Sequence, residues 1–440
     1  MTEGRIGRKL LVFCVPLILG NLLQQLYNTA DSVIVGNFVG SNALAAVGSS
    51  GALIYLLIAF SQGVSVGAGV VISHYLGADD SGSVRAAVHS SLAIVAVIGA
   101  VLTAEGIALS GWLLRLLNTP QEVMADSVTY LRIYFGGVLF NVVYNMAAGI
   151  LNAAGNSRRS LLYLAIASVT NIVLDLVCVA LLDMGVAGAA IATNVSQLLS
   201  CVLSLGYLMR VDAPYRVSFR HIHIDGRMAR SIIRIGLPTG IQNMVISLSN
   251  AVVQSSVNAF GADAMAGFGA YMKIDGFNIL PVLSLSLAMT TFTGQNLGAG
   301  KVERVKKAMR LTLAIGLGYT AATGALLLAF SAPIMRLFTD DAAAVAFGQL
   351  AMRYFCPFYF LLGVMHILAG TVRGAGKSVP PMVIMLLSLC IVRIAWLKLI
   401  APLYGTIDGV YIAYPITWAV GMGLMMLYAV FGKWLRVRTY

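Results

Sequence analysis

The stretch LGA at 76–78 returns as LGA at 297–299, 221 positions later, and the same displacement lays Ala375, Gly376 and Ser378 over Ala154, Gly155 and Ser157. Working outward, Asn258 and Gly261 fall on Asn37 and Gly40, and Gly269 on Gly48. Arg336 and Leu337 fall on Arg115 and Leu116, Arg353 on Arg132, Gly370 on Gly149, and Gly409, Ile412 and Ala413 on Gly188, Ile191 and Ala192. Only the start slips by one, where Arg230 and Pro238 match Arg8 and Pro16. Isolated glycine matches arise by chance in a chain with 45 glycines, but ordered matches at one displacement mean an internal duplication. Two copies of one unit imply a cavity between them.

Composition places the duplicated unit in a bilayer. The chain is 59% hydrophobic and 10% charged, with a mean hydropathy of +0.87, whereas soluble domains carry about 25% charged residues. Long apolar stretches fall near 10–36, 44–73, 86–111, 127–151, 159–182 and 187–209, then near 229–259, 266–294, 308–331, 344–370, 379–400 and 409–432. Most exceed the roughly 20 residues that a helix needs to cross the hydrocarbon. Backbone amides in lipid must be satisfied within the segment, so each stretch is expected to be helical. The expected fold is an all-α polytopic membrane protein with twelve transmembrane helices, six per repeat. Because six is even, both repeats enter from the same side, so they are parallel and related by a pseudo-two-fold axis along the membrane normal. The expected domains are an N-terminal six-helix bundle at 1–210, a linker rich in Arg and His at 211–228, and a C-terminal bundle at 229–440.

Lysine and arginine are retained on the cytoplasmic side of a membrane. Twenty-two of the 29 basic residues lie on the amino-terminal side of this pattern, among them Arg5, Arg8, Lys9, Arg85, the arginines from Arg210 to Arg234, the group from Lys301 to Arg310, and Lys433, Arg436 and Arg438. The opposite loops hold Arg115, Arg336 and Lys398, while Arg132, Lys273, Arg353 and Arg393 lie inside spans. Both termini are therefore expected in the cytoplasm. Topology explains the net charge of +12, and no nucleic-acid partner is needed. The first span follows a basic start as a signal peptide would, but its length and its Asn21, Asn28 and Asp31 suit a retained helix better. Cys14, Cys178, Cys201, Cys356 and Cys390 all sit in apolar stretches without a CxxC spacing, so they read as packing residues, with no disulfide framework and no zinc site.

A carboxylate inside a span costs roughly 2.5–3.5 kcal/mol on insertion scales and is a functional-site hypothesis by default. Asp31, Glu105, Asp175 and Asp275 are the candidates. Asp31 lies below the outer end of span one and Asp175 below that of span five, and span six brings Thr193 to the same depth. Asn171 precedes Asp175 by four residues and shares its helical face. Local backbone bonds would satisfy a lone Asn or Thr, but hydrocarbon offers nothing to two aspartates. The four side chains therefore read as a cation site of hard oxygen ligands, or as a carboxylate pair that shares a proton and titrates as one unit.

At this point the residues resemble a family. NTADSVIVG at 28–36 with Pro16 upstream, NIVLD at 171–175, Thr193 after AGAAIA, GQNLGAGK at 294–301 and VRGAGKS at 372–378 together look like the multidrug and toxic compound extrusion (MATE) family, along essentially the whole chain. The resemblance implies an antiporter of a bacterial cytoplasmic membrane that exports small cationic amphipathic compounds in exchange for protons or sodium ions, with no other cofactor. A monomer is the expected working unit. By the same likeness Asp31, Asn171, Asp175 and Thr193 occupy the family's first-half ion site, and Pro16 the bend of its first helix. Some branches of the family carry acidic coupling residues in the seventh and tenth spans. Here those spans contain no Asp or Glu, so a second-half ion site is not expected.

A drug-sized cation also needs an apolar enclosure with a few polar groups. Gln24, Tyr27, Asn28, Asn141, Tyr144 and Asn145, on spans one and four, are the candidate lining, although helix packing would explain such residues too. Asp275 could pair with Lys273 or contact substrate, and Arg393 has no partner that the sequence names. Arg132, Arg353 and Glu105 read as interfacial, and His366 as a packing histidine. GAGKS at 374–378 fails as a phosphate loop, since Thr371 stands where that motif needs Gly and no strand precedes it. His221 and His223 read as a solvated loop rather than a metal site. The alternative function is a flippase for lipid or lipid-linked sugar, with Lys273 and Arg393 holding phosphate. A channel is a further rival, and an enzyme lacks any nucleophile and base pairing.

Overall fold

The computed structural model describes residues 1–117 and 119–435; Arg436 and Arg438 of the charge count lie outside the described residues. The first repeat contains α1 (Ile6–Phe38), α2 (Ser41–Gly77), α3 (Ser81–Leu116), α4 (Gln121–Gly136), α5 (Val138–Ala153), α6 (Ser157–Asp175) continued by a π-helical segment (Leu176–Leu181), and α7 (Gly185–Arg210). The second contains α8 (Gly226–Asn258), α9 (Ala262–Gly298), α10 (Val302–Ala329), α11 (Ser331–Arg336), α12 (Ala342–Phe355) and α13 (Tyr359–Gly374). It closes with α14 (Val379–Leu386), a second π-helical segment (Leu387–Val392), α15 (Arg393–Leu399), α16 (Ala401–Tyr404), α17 (Asp408–Tyr411) and α18 (Ala413–Phe431). No strand occurs among the described residues.

Ten helical stretches among the described residues are long and apolar enough to cross a membrane, and the bent pair α4–α5 makes an eleventh. The twelfth is α8, the repeat partner of α1. Its buried Thr239, Gln242 and Ser249 make it more polar, but its 33 residues reach about 50 Å at 1.5 Å per residue. The result is the all-helical, twelve-span, two-repeat architecture that the duplication implies.

The duplication extends to conformation. Helices α2 and α9 are both 37 residues long with ends 221 apart, and left-handed backbone recurs at Gly40 and Gly261, Gly155 and Gly376, and Asp79 and Gly300. The fourth span breaks at the same place in each copy. In the first, Gly136 ends α4 and the chain bends by 48° into α5; in the second, Pro357, displaced by 221, sits in a 3-10 turn between α12 and α13.

Compact packing divides the described chain into Val15–Gly240 and a second unit made of Met1–Cys14 with residues 241–435. The sequence places the division in the linker 211–228, whereas the units divide within α1 and α8. The physical reason lies in what the first turns of these helices touch. Gly7 of α1 meets Leu311 of α10, and Arg304 donates to the carbonyls of Met1 and Glu3. The first part of α8 instead packs on α2 through two small-xxx-small pairs, Gly63 and Gly67 against Gly236 and Gly240. A Cβ on Gly63 would lie 2.3 Å from the Gly240 nitrogen and one on Gly67 2.5 Å from the Ile232 oxygen, so only glycine lets these backbones approach. Replacing Gly67 with Val should destabilise the protein by about 1–3 kcal/mol or more, read as a lower Tm in detergent. Gly48→Ala, which meets nothing within 4 Å and replaces a helical glycine, should not lower the Tm.

Candidate functional site

Helices α1, α4, α6 with its π-helical continuation, and α7 of the Val15–Gly240 unit converge where the sequence places its acids. Ile34 and Val35 of α1, Val179 of the first π-helical segment, Ala189 and Ala190 of α7 and Tyr130 of α4 form one buried cluster, with Ile172 of α6 packed against it. Asp31 lies one turn before Ile34, Asp175 one turn before Val179, and Thr193 one turn after Ala189. The helix bearing Asp175 leaves α geometry at that residue, passing into the π-helical turn Leu176–Leu181, a distortion frequent at functional sites.

Asp175 is 0% exposed and Asn171 1% exposed. Among the described residues, these two alone leave both polar atoms of the side chain buried without a hydrogen-bond partner, and Oδ1 of Asp31 is likewise unpartnered. The Asp31 charge acts directly on Asp175, so the two carboxylates belong to one electrostatic site. The Thr193 hydroxyl donates to the Ala189 carbonyl at 3.0 Å and keeps its lone pairs available. An unpaired buried polar group costs about 1–3 kcal/mol and a charged one more. Several such groups in one place mark a site that protein atoms do not complete.

The candidate lining is only partly gathered there. Tyr27 lies within reach of both carboxylates and is in polar contact with Gln24. The Tyr144 hydroxyl donates to the Ser160 carbonyl at 3.4 Å. Asn145 donates to Oδ1 of Asn141 at 2.8 Å, so these two satisfy each other. Asn28 is exposed and joins none of these groups. Pro16 is buried inside α1, which continues through it as helix.

Sequence reasoning missed Tyr130, Tyr134 and Asn194. Tyr130 feels both Asp31 and Asp175 and stacks on Tyr134 at 6.3 Å; their four-residue spacing on one face of α4 was the available signal. Asn194 holds the bend beside the site. The Gly137 amide turns to the Tyr134 carbonyl at 3.0 Å, which frees the Ile133 carbonyl, and Nδ2 of Asn194 donates to it at 2.5 Å.

In the other unit Asp275 and Arg393 have side-chain partners, although Nε of Arg393 is among the buried atoms left without one. The proposed Lys273–Asp275 pair is not formed: Lys273 is exposed, and Lys306–Glu303 is the one ion pair among the described residues. Asp275 instead accepts from the hydroxyls of Tyr359 at 2.8 Å and Tyr271 at 3.2 Å. Arg393, 2% exposed, donates to Asn250 at 3.1 Å and Thr417 at 3.2 Å and lies 4.6 Å from the centre of the Tyr414 ring. Arg132, Arg353 and Glu105 are exposed, and the GAGKS segment runs from the last residue of α13 through a turn. The backbone carbonyl of His366 accepts from Ser286 at 2.7 Å. The five cysteines are free, and no group of three or more His, Cys, Asp or Glu among the described residues could hold a metal ion.

The chain belongs to the MatE family, a family of membrane transporters rather than enzymes, whose sequence model matches residues 16–177 and 238–397, one segment in each repeat. It is 29% identical over 440 residues to the probable multidrug resistance protein YpnP of Bacillus subtilis, covering 100% of this chain and 98% of the relative. It is 26% identical over 394 residues to the probable multidrug resistance protein NorM of Thermotoga maritima, covering 88% and 84% of the two. The fold matches that of a multidrug resistance MATE family transporter solved in an outward-facing conformation, with a TM-score of 0.90, 24% identity, and coverage of 98% and 96%.

Replacing Asn194 with Val strands the Ile133 carbonyl and should cost about 1–3 kcal/mol. The measurement is thermal unfolding in detergent, and a wild-type Tm would show that the bend does not depend on this bond.

Proposed function

We propose that this protein is an antiporter of a bacterial cytoplasmic membrane that exports cationic amphipathic compounds in exchange for protons or sodium ions, with both termini in the cytoplasm. One observation carries the reading. Asp31 and Asp175 share a buried site in which neither carboxylate is completed by the protein, and such a pair in a membrane span calls for a proton or a cation. Sodium would take the oxygens of Asp31, Asn171, Asp175 and Thr193; a proton would be shared by the carboxylates alone. Either is the exchanged substrate rather than a resident cofactor. Drug export is supported by the multidrug resistance names of relatives that span nearly the whole chain.

The neutralising ion drives transport only if it binds one conformation better than the other. Pro16 has no N–H for the carbonyl of Val12, so α1, which carries Asp31, is a helix able to bend between two such states. Tyr27 and Tyr130, near the same carboxylates, would supply aromatic rings to an organic cation, so ion and drug would compete for one negative site. Export would then follow from neutralisation of the acids on the outer side. The flippase alternative is not favoured. Of the two cations it needs for phosphate, Lys273 is exposed and Arg393 is already engaged by Asn250 and Thr417.

The test is dye efflux from proteoliposomes with proton and sodium gradients imposed separately. One gradient should drive export in the wild type, and Asp31→Asn or Asp175→Asn should lower the gradient-driven rate by about 5–150-fold, the span of a coupling free energy of 1–3 kcal/mol, without lowering the Tm. Full-rate export by both variants would refute the coupling assignment.

A further inference from the structure

We propose that a cavity of about 720 Å³ between the start of α3 and the inter-repeat linker is a binding site for a phosphate-bearing anion. Its wall is formed by Arg85 and His89 on α3 and by Asp212, Arg216, His221 and His223 on the linker, all within the Val15–Gly240 unit.

His221 and His223 are exposed, as expected of a solvated loop, but the linker is tied to α3 by hydrogen bonds. His89, 5% exposed, donates from Nδ1 to the Arg85 carbonyl at 2.7 Å, and its Nε2 accepts from the Ser218 amide at 3.0 Å. Ser90 donates to the His223 carbonyl at 3.3 Å and accepts from the Asp225 amide at 2.9 Å. His223 turns its Nδ1 to the His221 carbonyl at 2.8 Å. These bonds fix the cavity wall and use up the nitrogens that a metal would take from His89.

The donors that remain are cationic. Arg216 lines the cavity and donates from Nε to the Met209 carbonyl at 3.0 Å, which anchors its guanidinium and leaves both Nη groups unused by that bond. Arg85 forms no side-chain hydrogen bond or ion pair with the described residues. Asp212 is the one acidic residue of the lining, and it too forms no ion pair among the described residues. Two guanidinium groups and a single carboxylate line the cavity, and guanidinium binds phosphate through paired N–H donors.

Phospholipid headgroups and free phosphate share this chemistry. Phe219 and Ile224, on the same linker, are 58% and 54% exposed, and they set apolar side chains close to the basic cavity. Basic pockets at helix ends hold anionic headgroups in this way, so the phospholipid is the favoured source. The bound anion would brace the linker against α3.

The experiment uses the full chain in nanodiscs of phosphatidylcholine with or without phosphatidylglycerol, and in detergent with inorganic phosphate. Binding is read by titrating lipid or phosphate against the Tm. Phosphatidylglycerol should raise the Tm where phosphatidylcholine does not, and Arg85→Gln or Arg216→Gln should each weaken the apparent affinity about fivefold. Arg310→Gln, an exposed arginine elsewhere, should not change it. A response to inorganic phosphate with the same sensitivity to the variants would assign the site to free phosphate instead of lipid. Equal behaviour of the two lipids with no response to phosphate, or variants at Arg85 and Arg216 that bind like the wild type, would overturn the proposal.

Discussion

One buried and one half-buried carboxylate, Asp175 and Asp31, set among helices in a medium that cannot solvate them, are the constraint around which this protein is arranged. Hydrocarbon offers no hydrogen bonds, and a charge there costs several kcal/mol unless something neutralises it. Asp175, Asp31 and Asn171 bring unsatisfied polar atoms to one site, and the surrounding cluster of Ile34, Val35, Val179, Ala189 and Ala190 supplies none of the missing partners. A fold held by close helix packing tolerates such a defect only where the cost is met by a transient guest. That turns a local electrostatic problem into a means of sensing ions.

Duplication makes the asymmetry informative. The two repeats share helix lengths, left-handed turns and the break in the fourth span, so their backbones answer to the same rules. Their polar interiors do not. Asp275 is bonded to two tyrosine hydroxyls and Arg393 to Asn250, Thr417 and the face of Tyr414. Most of these groups have found partners within their own unit, which is what a structural role requires. Each repeat also carries a π-helical turn in its fifth span, one adjoining Asp175 and the other adjoining Arg393. The two segments are not at equivalent positions: Asp175 precedes the first and Arg393 follows the second.

The fold was legible because a bilayer imposes length and polarity on every span, and because a fixed displacement survives divergence. Asp31, Asn171, Asp175 and Thr193 were legible for the same reason, since a polar side chain in a span demands an explanation. Tyr130 and Tyr134 were not, because aromatic residues in a membrane helix are ordinary packing until their neighbours are known. Asn194 was hidden because its task, capping a carbonyl freed by a bend at Gly137, exists only once the bend exists. The Lys273–Asp275 reading failed because residues two apart on a helix point to different faces. The exchange of the first turns of α1 and α8 between units depends on glycine contacts far apart in sequence, Gly63 and Gly67 with Gly236 and Gly240, which no local pattern announces.

The most direct test is infrared difference spectroscopy of the purified protein, following the carbonyl stretch of protonated carboxyl groups as pH and sodium are varied. The account predicts one coupled carboxyl signal that responds to pH or to sodium, is displaced by a cationic dye, and disappears when Asp31 and Asp175 are both replaced by Asn. A carboxyl signal that ignores pH, sodium and dye, or one that persists unchanged in the double variant, would contradict it.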